Sequence, residues 1–162
     1  MKKLIILLAI TLISITASSQ ALEFNLRGGV NFQGSHSPDK KASILPHMGL
    51  MTGMQISNIG IYAEVLFSIH DDPEWAERAS YFVPSVLARY FVIKNIYVEG
   101  GITYYILAEE QIEGSAVDFP DKKVGFMAGG GLSAGPFDLG LRGNLPVKSI
   151  QATASYRFGK RR

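Results

Sequence analysis

An alternation of apolar and polar residues runs through this chain from Leu22 to Phe158 and limits what it can fold into. In its first stretch the even positions are apolar or glycine, whereas the odd positions include Glu23, Asn25 and Arg27. A period of two places successive side chains on opposite faces of a β-strand, and it does not fit a helix, whose period is 3.6. The alternation therefore predicts an all-β protein whose strands have one apolar and one polar face.

Eight segments carry the alternation, four with high contrast and four with lower contrast. Each is close to the roughly 9–11 residues that a tilted strand needs to cross a bilayer. The high-contrast segments are residues 22–33, 59–69, 137–145 and 150–158, and the others are 45–56, 81–92, 96–107 and 123–133. An even number of such strands in 162 residues predicts one eight-stranded, antiparallel, up-and-down transmembrane β-barrel.

The connections between these segments alternate in length. Residues 34–43, 70–80 and 108–122 form long connections, whereas 57–58, 94–95 and 134–136 are short and 146–149 is of modest length. Outer-membrane barrels have long loops at the extracellular rim and tight turns at the periplasmic rim. The alternation in length favours the same architecture, with both ends of the barrel segment at the periplasmic rim.

The first twenty residues have the pattern of a cleavable secretory signal. Lys2 and Lys3 precede an apolar run from Leu4 to Ile15, and a zone of small residues follows from Thr16 to Ala21. The alternative is an N-terminal membrane anchor, but the run is shorter than the roughly 20 apolar residues that a spanning helix needs. We therefore expect a signal peptide at 1–20 and a barrel domain at 21–162.

Removing that leader leaves the charges balanced. The full chain has 16 Lys and Arg and 14 Asp and Glu, and the leader contains two lysines and no acid, so 14 of each remain. A neutral chain gives no reason to expect nucleic acid as a partner. The chain has no cysteine, so disulfides cannot hold the exported domain together.

The polar face decides whether the barrel is a membrane barrel or a soluble one. A soluble, lipocalin-like ligand carrier of the periplasm would turn its apolar face inward. The polar face here carries few charges, equal in number, which suits a narrow interior where each charge needs a partner. Lysines lie in loops, turns and strand ends. We therefore predict a side-chain-filled lumen with a salt-bridged network of Glu23, Arg27, Glu64, Arg89, Glu99, Asp138, Arg142 and Arg157.

Several aromatic residues fall near the ends of the predicted strands. Aromatic side chains concentrate at the two membrane–water interfaces of outer-membrane barrels. We expect interfacial girdles that include Tyr81, Tyr90, Tyr97, Tyr104, Trp75 and Phe158.

No catalytic or metal-binding signature stands out. The segment from His70 to Glu77 is rich in carboxylates and could bind Ca²⁺, but it lacks an ordered ligand spacing, so a solvated extracellular loop is favoured. Ser35 and Ser37 flank His36 in a segment rich in Gly, Ser and Pro, which does not preorganise a nucleophile. The three glycines at 129–131 lack the features of a phosphate loop and indicate close packing or a bend. We expect no enzyme activity, no cofactor and no metal.

The mature chain resembles a known family along most of its length. The segments that carry the likeness are 81–91 (YFVPSVLARYF), 97–101 (YVEGG), the glycine-rich 125–131 and the closing Tyr156-Arg157-Phe158. They are similar to the small outer-membrane β-barrel proteins of Bacteroidetes, called PorT-like or porin-family proteins, and more distantly to the OmpA and OmpX barrels. The resemblance implies a location in the outer membrane and no single activity.

Three functions remain open at this stage. The first is a non-enzymatic barrel that displays loops for structural, adhesion or partner-binding roles, including assistance to a secretion apparatus. The second is a narrow channel for small solutes or ions, and the third is an outer-membrane enzyme dependent on His36, His47 or His70. The expected partners are outer-membrane lipid and lipopolysaccharide, the barrel-insertion machinery and an extracellular or envelope protein.

Overall fold

The structure, a computed structural model, describes residues 22–34, 42–71, 78–110, 122–145 and 147–158. The predicted signal peptide lies outside these ranges. No helix in the described ranges is long and apolar enough to cross a membrane.

The described residues form eight antiparallel strands that close into a barrel in chain order, with β1 paired to both β2 and β8. This confirms the predicted fold. The strands are β1 (Glu23–Gln33), β2 (Ser43–Ile56), β3 (Ile59–Asp71), β4 (Arg78–Ile93), β5 (Ile96–Glu110), β6 (Lys122–Ala134), β7 (Phe137–Asn144) and β8 (Ser149–Phe158).

The pairing register fixes how the barrel closes. A path followed from partner to partner around all eight strands starts at Glu23 and returns to β1 at Gln33, ten residues farther along. The path passes Gly53, Tyr62, Leu87, Gly101, Met127, Asn144 and Ser149. With about 3.4 Å per residue along a strand and about 4.8 Å between strands, this stagger tilts the strands by about 40°. Transmembrane barrels have strand tilts of this size.

The two ends of the barrel differ. The turns at 57–58, 94–95 and 135–136 lie at one end, together with the start of β1 and the end of β8. We call this end the turn rim. Connections 34–42, 72–77, 111–121 and 145–148 leave the other end, which we call the loop rim. Because β3, β4 and β5 extend beyond the predicted segments, two of the predicted long connections are shorter than expected.

The alternation in the sequence corresponds to an apolar outer wall and a polar interior. Large apolar side chains such as Leu50, Val86 and Leu141 are 60–65% exposed on the outside. Wherever the structure describes the side chain, each charged residue of a strand is buried inside the barrel. This arrangement is the reverse of the lipocalin-like alternative.

The aromatic prediction was partly wrong. Tyr81 and Tyr97 are buried in the interior, at 7% and 1% exposure, and do not belong to an outer girdle. Their odd positions in β4 and β5 share the period-two face of Arg89 and Glu99, so register places them inside. Tyr90 and Phe158 are exposed on the outer wall near the turn rim, whereas Trp75 lies outside the described residues.

Candidate functional site

The barrel interior gathers the charged residues singled out in the sequence. All eight of them are buried there, with exposures of 7% or less. Each comes from a strand position whose neighbours along the chain face outward, because successive side chains alternate across the sheet. Six strands supply them, so closure of the barrel is what brings them together.

Glu64 is the centre of the first group of contacts. Its two carboxylate oxygens accept hydrogen bonds from Arg27 Nη1 at 2.7 Å and from Arg142 Nη1 at 2.7 Å. The Nε of Arg142 lies 3.1 Å from Glu99 Oε1, and Arg27 Nη2 lies 3.6 Å from the same oxygen. Two guanidinium groups therefore share two carboxylates in mid-barrel.

The second group continues toward the turn rim. Arg89 donates to Glu99 Oε2 at 2.8 Å through Nη2 and to Asp138 Oδ2 at 3.1 Å through Nη1. Arg157 Nη2 donates to Asp138 Oδ1 at 2.6 Å, and its Nε lies 3.5 Å from Glu23 Oε2. Read through both groups, the charges form one alternating chain: Arg27, Glu64, Arg142, Glu99, Arg89, Asp138, Arg157 and Glu23.

Aromatic rings hold Arg89 in place. Its guanidinium carbon lies 3.9 Å from the centre of the Tyr97 ring and 4.9 Å from that of Tyr62. A cation over an aromatic face is stabilised most when water is excluded, as it is here. The Tyr62 hydroxyl also donates to Glu23 Oε2 at 3.2 Å, which ties the rings to the charge chain.

Glycines on the interior face provide the room for these large side chains. A Cβ at Gly131 would collide with the Leu139 carbonyl oxygen and with the Tyr97 hydroxyl. At Gly129 it would collide with the Leu141 carbonyl oxygen and the backbone of Arg142. The glycine-rich stretch of β6 therefore allows close packing, which is one of the two interpretations that the sequence favoured.

The interior near the loop rim contains an apolar and aromatic cluster beside polar side chains. Tyr81 and Tyr105 meet edge to face with ring centres 5.8 Å apart, and the His70 ring packs on both, at 6.1 and 5.7 Å. The loop-rim cluster consists of Leu66, Ala79, Tyr81, Val83, Tyr105 and Val147, with Leu107 at its margin. Val147 belongs to the β7–β8 connection, and its carbonyl oxygen accepts a hydrogen bond from Gln33 at 3.0 Å.

Sequence reasoning missed the loop-rim cluster. Its signal was present, since the interior-facing positions of β4 and the later part of β5 are mostly apolar or aromatic. We interpreted those segments as low-contrast strands, and the same residues prove to be a second layer of the interior.

His70 lies in β3 and not in a solvated loop, which corrects the predicted start of the 70–77 loop. Strand pairing continues to Asp71 and Arg78, so His70 keeps the inward orientation of its strand. Its Nε2 lies 2.9 Å from Ser68 Oγ, and Asn31 Nδ2 donates to the same oxygen at 3.0 Å. A hydroxyl beside an imidazole is an arrangement found in nucleophilic catalysis. Here Ser68 is 0% exposed and pairs with Tyr81 of the loop-rim cluster, so its hydroxyl is enclosed within the barrel.

Of the two other histidines, His47 alone lies within the described residues. His47 is buried in β2, and neither of its ring nitrogens has a partner among the described residues. His36, Ser35, Ser37, Asp72, Glu74 and Glu77 lie outside those residues. Within the described ranges no group of three or more His, Cys, Asp or Glu residues could hold a metal ion.

Two solved structures are similar to this chain. Neisserial surface protein A aligns over 86% of this chain and 98% of its own, with a TM-score of 0.50 and 12% identity. The Yersinia pestis outer membrane protein Ail, solved in a phospholipid bilayer nanodisc, aligns over 85% and 100%, with a TM-score of 0.51 and 13% identity. No protein-family model and no curated protein matches the chain significantly. These similarities show that the chain has the fold of these small β-barrels.

Proposed function

We propose that this protein is a non-enzymatic integral barrel of the outer membrane, with a closed interior and a functional surface at the loop rim. The observation that carries the proposal is the alternating chain of eight buried charges. Removing one partner of a buried pair typically costs about 3–5 kcal/mol, so such a chain acts as a permanent part of the core. A solute that crossed the lumen would have to disrupt it and the loop-rim cluster in turn.

The location follows from the outer wall. Exposed large apolar side chains from all eight strands cover the outer wall. In water, so extensive an apolar surface would cause copies of the protein to associate with one another. A bilayer is the solvent that suits it, and a closed barrel satisfies the backbone hydrogen bonds there. The fold similarity to Ail supports this location, and export would use the predicted signal peptide. The PorT-like resemblance supports assistance to a secretion apparatus as one form of the partner-binding role.

The loop rim differs in charge from the rest of the protein. Its connections, residues 34–42, 72–77, 111–121 and 145–148, contain seven acidic and three basic residues, a net charge of −4. Complementary charge speeds association and selects partners more than it adds affinity. We therefore propose that the loop rim faces outward and favours a partner with a basic surface.

A narrow channel is the second candidate, favoured by the polar side chains that line the interior. It requires a continuous wet path, whereas an eight-stranded barrel has an interior that side chains can fill. Ion conductance therefore separates the two functions.

The first test combines fractionation with electrophysiology. We expect the protein in the outer-membrane fraction, with a mobility shift between boiled and unboiled samples, and no steady conductance steps in planar bilayers. A wide porin, purified and inserted in the same way, is the positive control for insertion. Uniform ion steps would establish the channel instead, and a soluble protein without a mobility shift would overturn the membrane location.

A further inference from the structure

A group of polar side chains lies inside the barrel between the middle of the charge chain and the loop rim. These side chains are 2–4% exposed, and we call them the polar layer: His47 of β2, Asn144 of β7, and Ser149 and Gln151 of β8. With about 3.4 Å per residue, about 4.8 Å between strands and a tilt of about 40°, their Cα atoms lie about 16–22 Å above that of Glu23 along the barrel axis. On the same scale Glu64 and Arg142 lie lower, about 11–13 Å above Glu23.

Six side-chain atoms of the polar layer have no hydrogen-bond partner among the described residues. They are both ring nitrogens of His47, both polar amide atoms of Asn144, Ser149 Oγ and Gln151 Oε1. The Gln151 amide is nevertheless held in place, since its Nε2 donates to Asn31 Oδ1 at 2.9 Å. Buried polar groups are almost always hydrogen-bonded, either to protein or to ordered water, so these six atoms indicate a bound molecule.

The pairing register brings the polar layer to one side of the lumen. Asn144 pairs with Ser149, and Gln151 lies two residues farther along the same face of β8. Gly29 of β1 pairs with His47 on one side and with β8 on the other. The imidazole lies over this glycine, because a Cβ at Gly29 would be 2.9 Å from His47 Cε1, the carbon bonded to both ring nitrogens. The missing side chain at Gly29 therefore leaves space beside those nitrogens.

The polar layer is enclosed from both ends of the barrel. Toward the turn rim, Arg142 pairs with Gln151 and belongs to the charge chain. Toward the loop rim, Leu45 is 3% exposed, and Gln33 donates to the Val147 carbonyl oxygen at 3.0 Å. A molecule bound in the polar layer must therefore be small.

We propose that the polar layer binds an enclosed cluster of water molecules. The six atoms include both donors and acceptors, which suits water, since water donates and accepts. The nearest charges of the charge chain are paired with one another, so they do not select an ion. A buried water makes about three hydrogen bonds, so the six atoms require about two waters or more.

This inference rests on the closed interior of the proposed function and gives a role to the polar lining. Between the charge chain and the loop-rim cluster, the polar side chains hold water in place and do not form a continuous path across the lumen.

The test is nuclear magnetic resonance of the whole protein in detergent micelles, with isotope-labelled asparagine, histidine and leucine. Rotating-frame magnetisation transfer from water, whose sign separates bound water from proton exchange, is measured at the Asn144 amide and at the His47 Cε1 proton. We expect transfer of the bound-water sign at both. The methyl groups of Leu87, which packs with Met51, Tyr62 and Met127, are the dry reference and should show none.

A matched pair of variants locates the water. Asn144→Leu removes two of the six atoms and places an apolar side chain in the site, so it should abolish the water signal at His47. Asn25→Leu is the control, since Asn25 is also buried, at 2% exposure, but lies only about 5 Å above Glu23 on the same axis. It should leave the signal at His47 unchanged. If Asn144→Leu does not fold, His47→Phe keeps a ring, removes both nitrogens and should abolish the signal at Asn144.

Absence of transfer in the parent protein, a signal that persists in the site variant, or equal loss in the site variant and the Asn25 control would overturn the water site. Bilayer conductance of the same preparation separates this result from the proposed function. Without conductance steps and without transfer, the water site alone fails. Uniform steps would overturn both, because water in an open lumen is solvent and not a bound cluster.

Discussion

At the scale of single residues, Glu64 has the most consequential contacts. Both of its oxygens are used, by Arg27 and by Arg142, and all three side chains are completely enclosed. The single negative charge of Glu64 cannot balance two guanidinium groups, and both of these groups also approach Glu99 Oε1. The stability of each ion pair therefore depends on its neighbours in the chain of charges.

Neutralising Glu64 tests this dependence. Glu64→Gln should lower the free energy of unfolding by about 3–5 kcal/mol, because two buried guanidinium groups lose a charged partner. The measurement is urea unfolding in detergent micelles or vesicles, with Arg142→Gln and the double variant completing a thermodynamic cycle. Strictly additive effects in that cycle would contradict the pairing, since residues in direct contact should show a coupling energy of about 0.5–3 kcal/mol.

At the scale of elements, the neighbouring strands β6 and β7 show that the inner and outer faces of the sheet place different limits on side-chain size. Gly131 faces inward beneath Tyr97, whose ring lies over Arg89. Gly143 on the neighbouring strand faces outward, and a Cβ there would meet nothing closer than the Ala128 carbonyl oxygen at 4.0 Å. Valine is more favourable than glycine in a β-strand, so strand propensity alone favours replacing either glycine with valine.

The two glycines therefore form a matched pair for a second measurement. Gly131→Val should destabilise the barrel by about 1–3 kcal/mol or more, because the added atoms overlap backbone and displace Tyr97. Gly143→Val should fold with unchanged or slightly higher stability. Unfolding free energies of the two variants, compared with the parent, check the expectation; equal effects would show that packing around Tyr97 is not the constraint.

At the scale of the whole molecule, the barrel is polar inside and apolar outside, with its charges shielded by the wall. Mobile ions screen exposed charges over about 10 Å at 0.1 M salt and about 3 Å at 1 M, but they screen enclosed pairs much less. The partner binding that we propose for the loop rim would, in contrast, depend on charges in the connections, so we expect it to weaken with salt.

Salt should therefore separate stability from binding. The midpoint temperature of the boiled-to-unboiled mobility change should be nearly the same between about 0.05 and 1 M NaCl, because the ion pairs that stabilise the fold are enclosed. A steep fall in that midpoint with salt would show that water and ions reach the charge chain. That result would support the second candidate function, a narrow channel for ions or small solutes.

The sequence by itself determined the strand number, the face that carries the charges and the identity of the eight charged side chains that the structure describes inside the barrel. It could do so because the side-chain period of a strand is two. Once one polar position of a strand is known, every second residue along that strand is known to lie on the same face. The same argument supplied the number of connections. The strands β3, β4 and β5 are longer than the predicted segments, because their pairing continues beyond the residues in which the alternation was recognised.

Only the tertiary structure decided which of those residues meet. The partners of Glu64 come from β1 and β7, and their contact depends on closure with a stagger of ten residues. The burial of Tyr97 and the enclosed position of His70 depend on the same register. Periodicity describes each strand separately, whereas register relates strands that lie far apart in the chain, so contacts across the lumen could not be derived from the pattern alone.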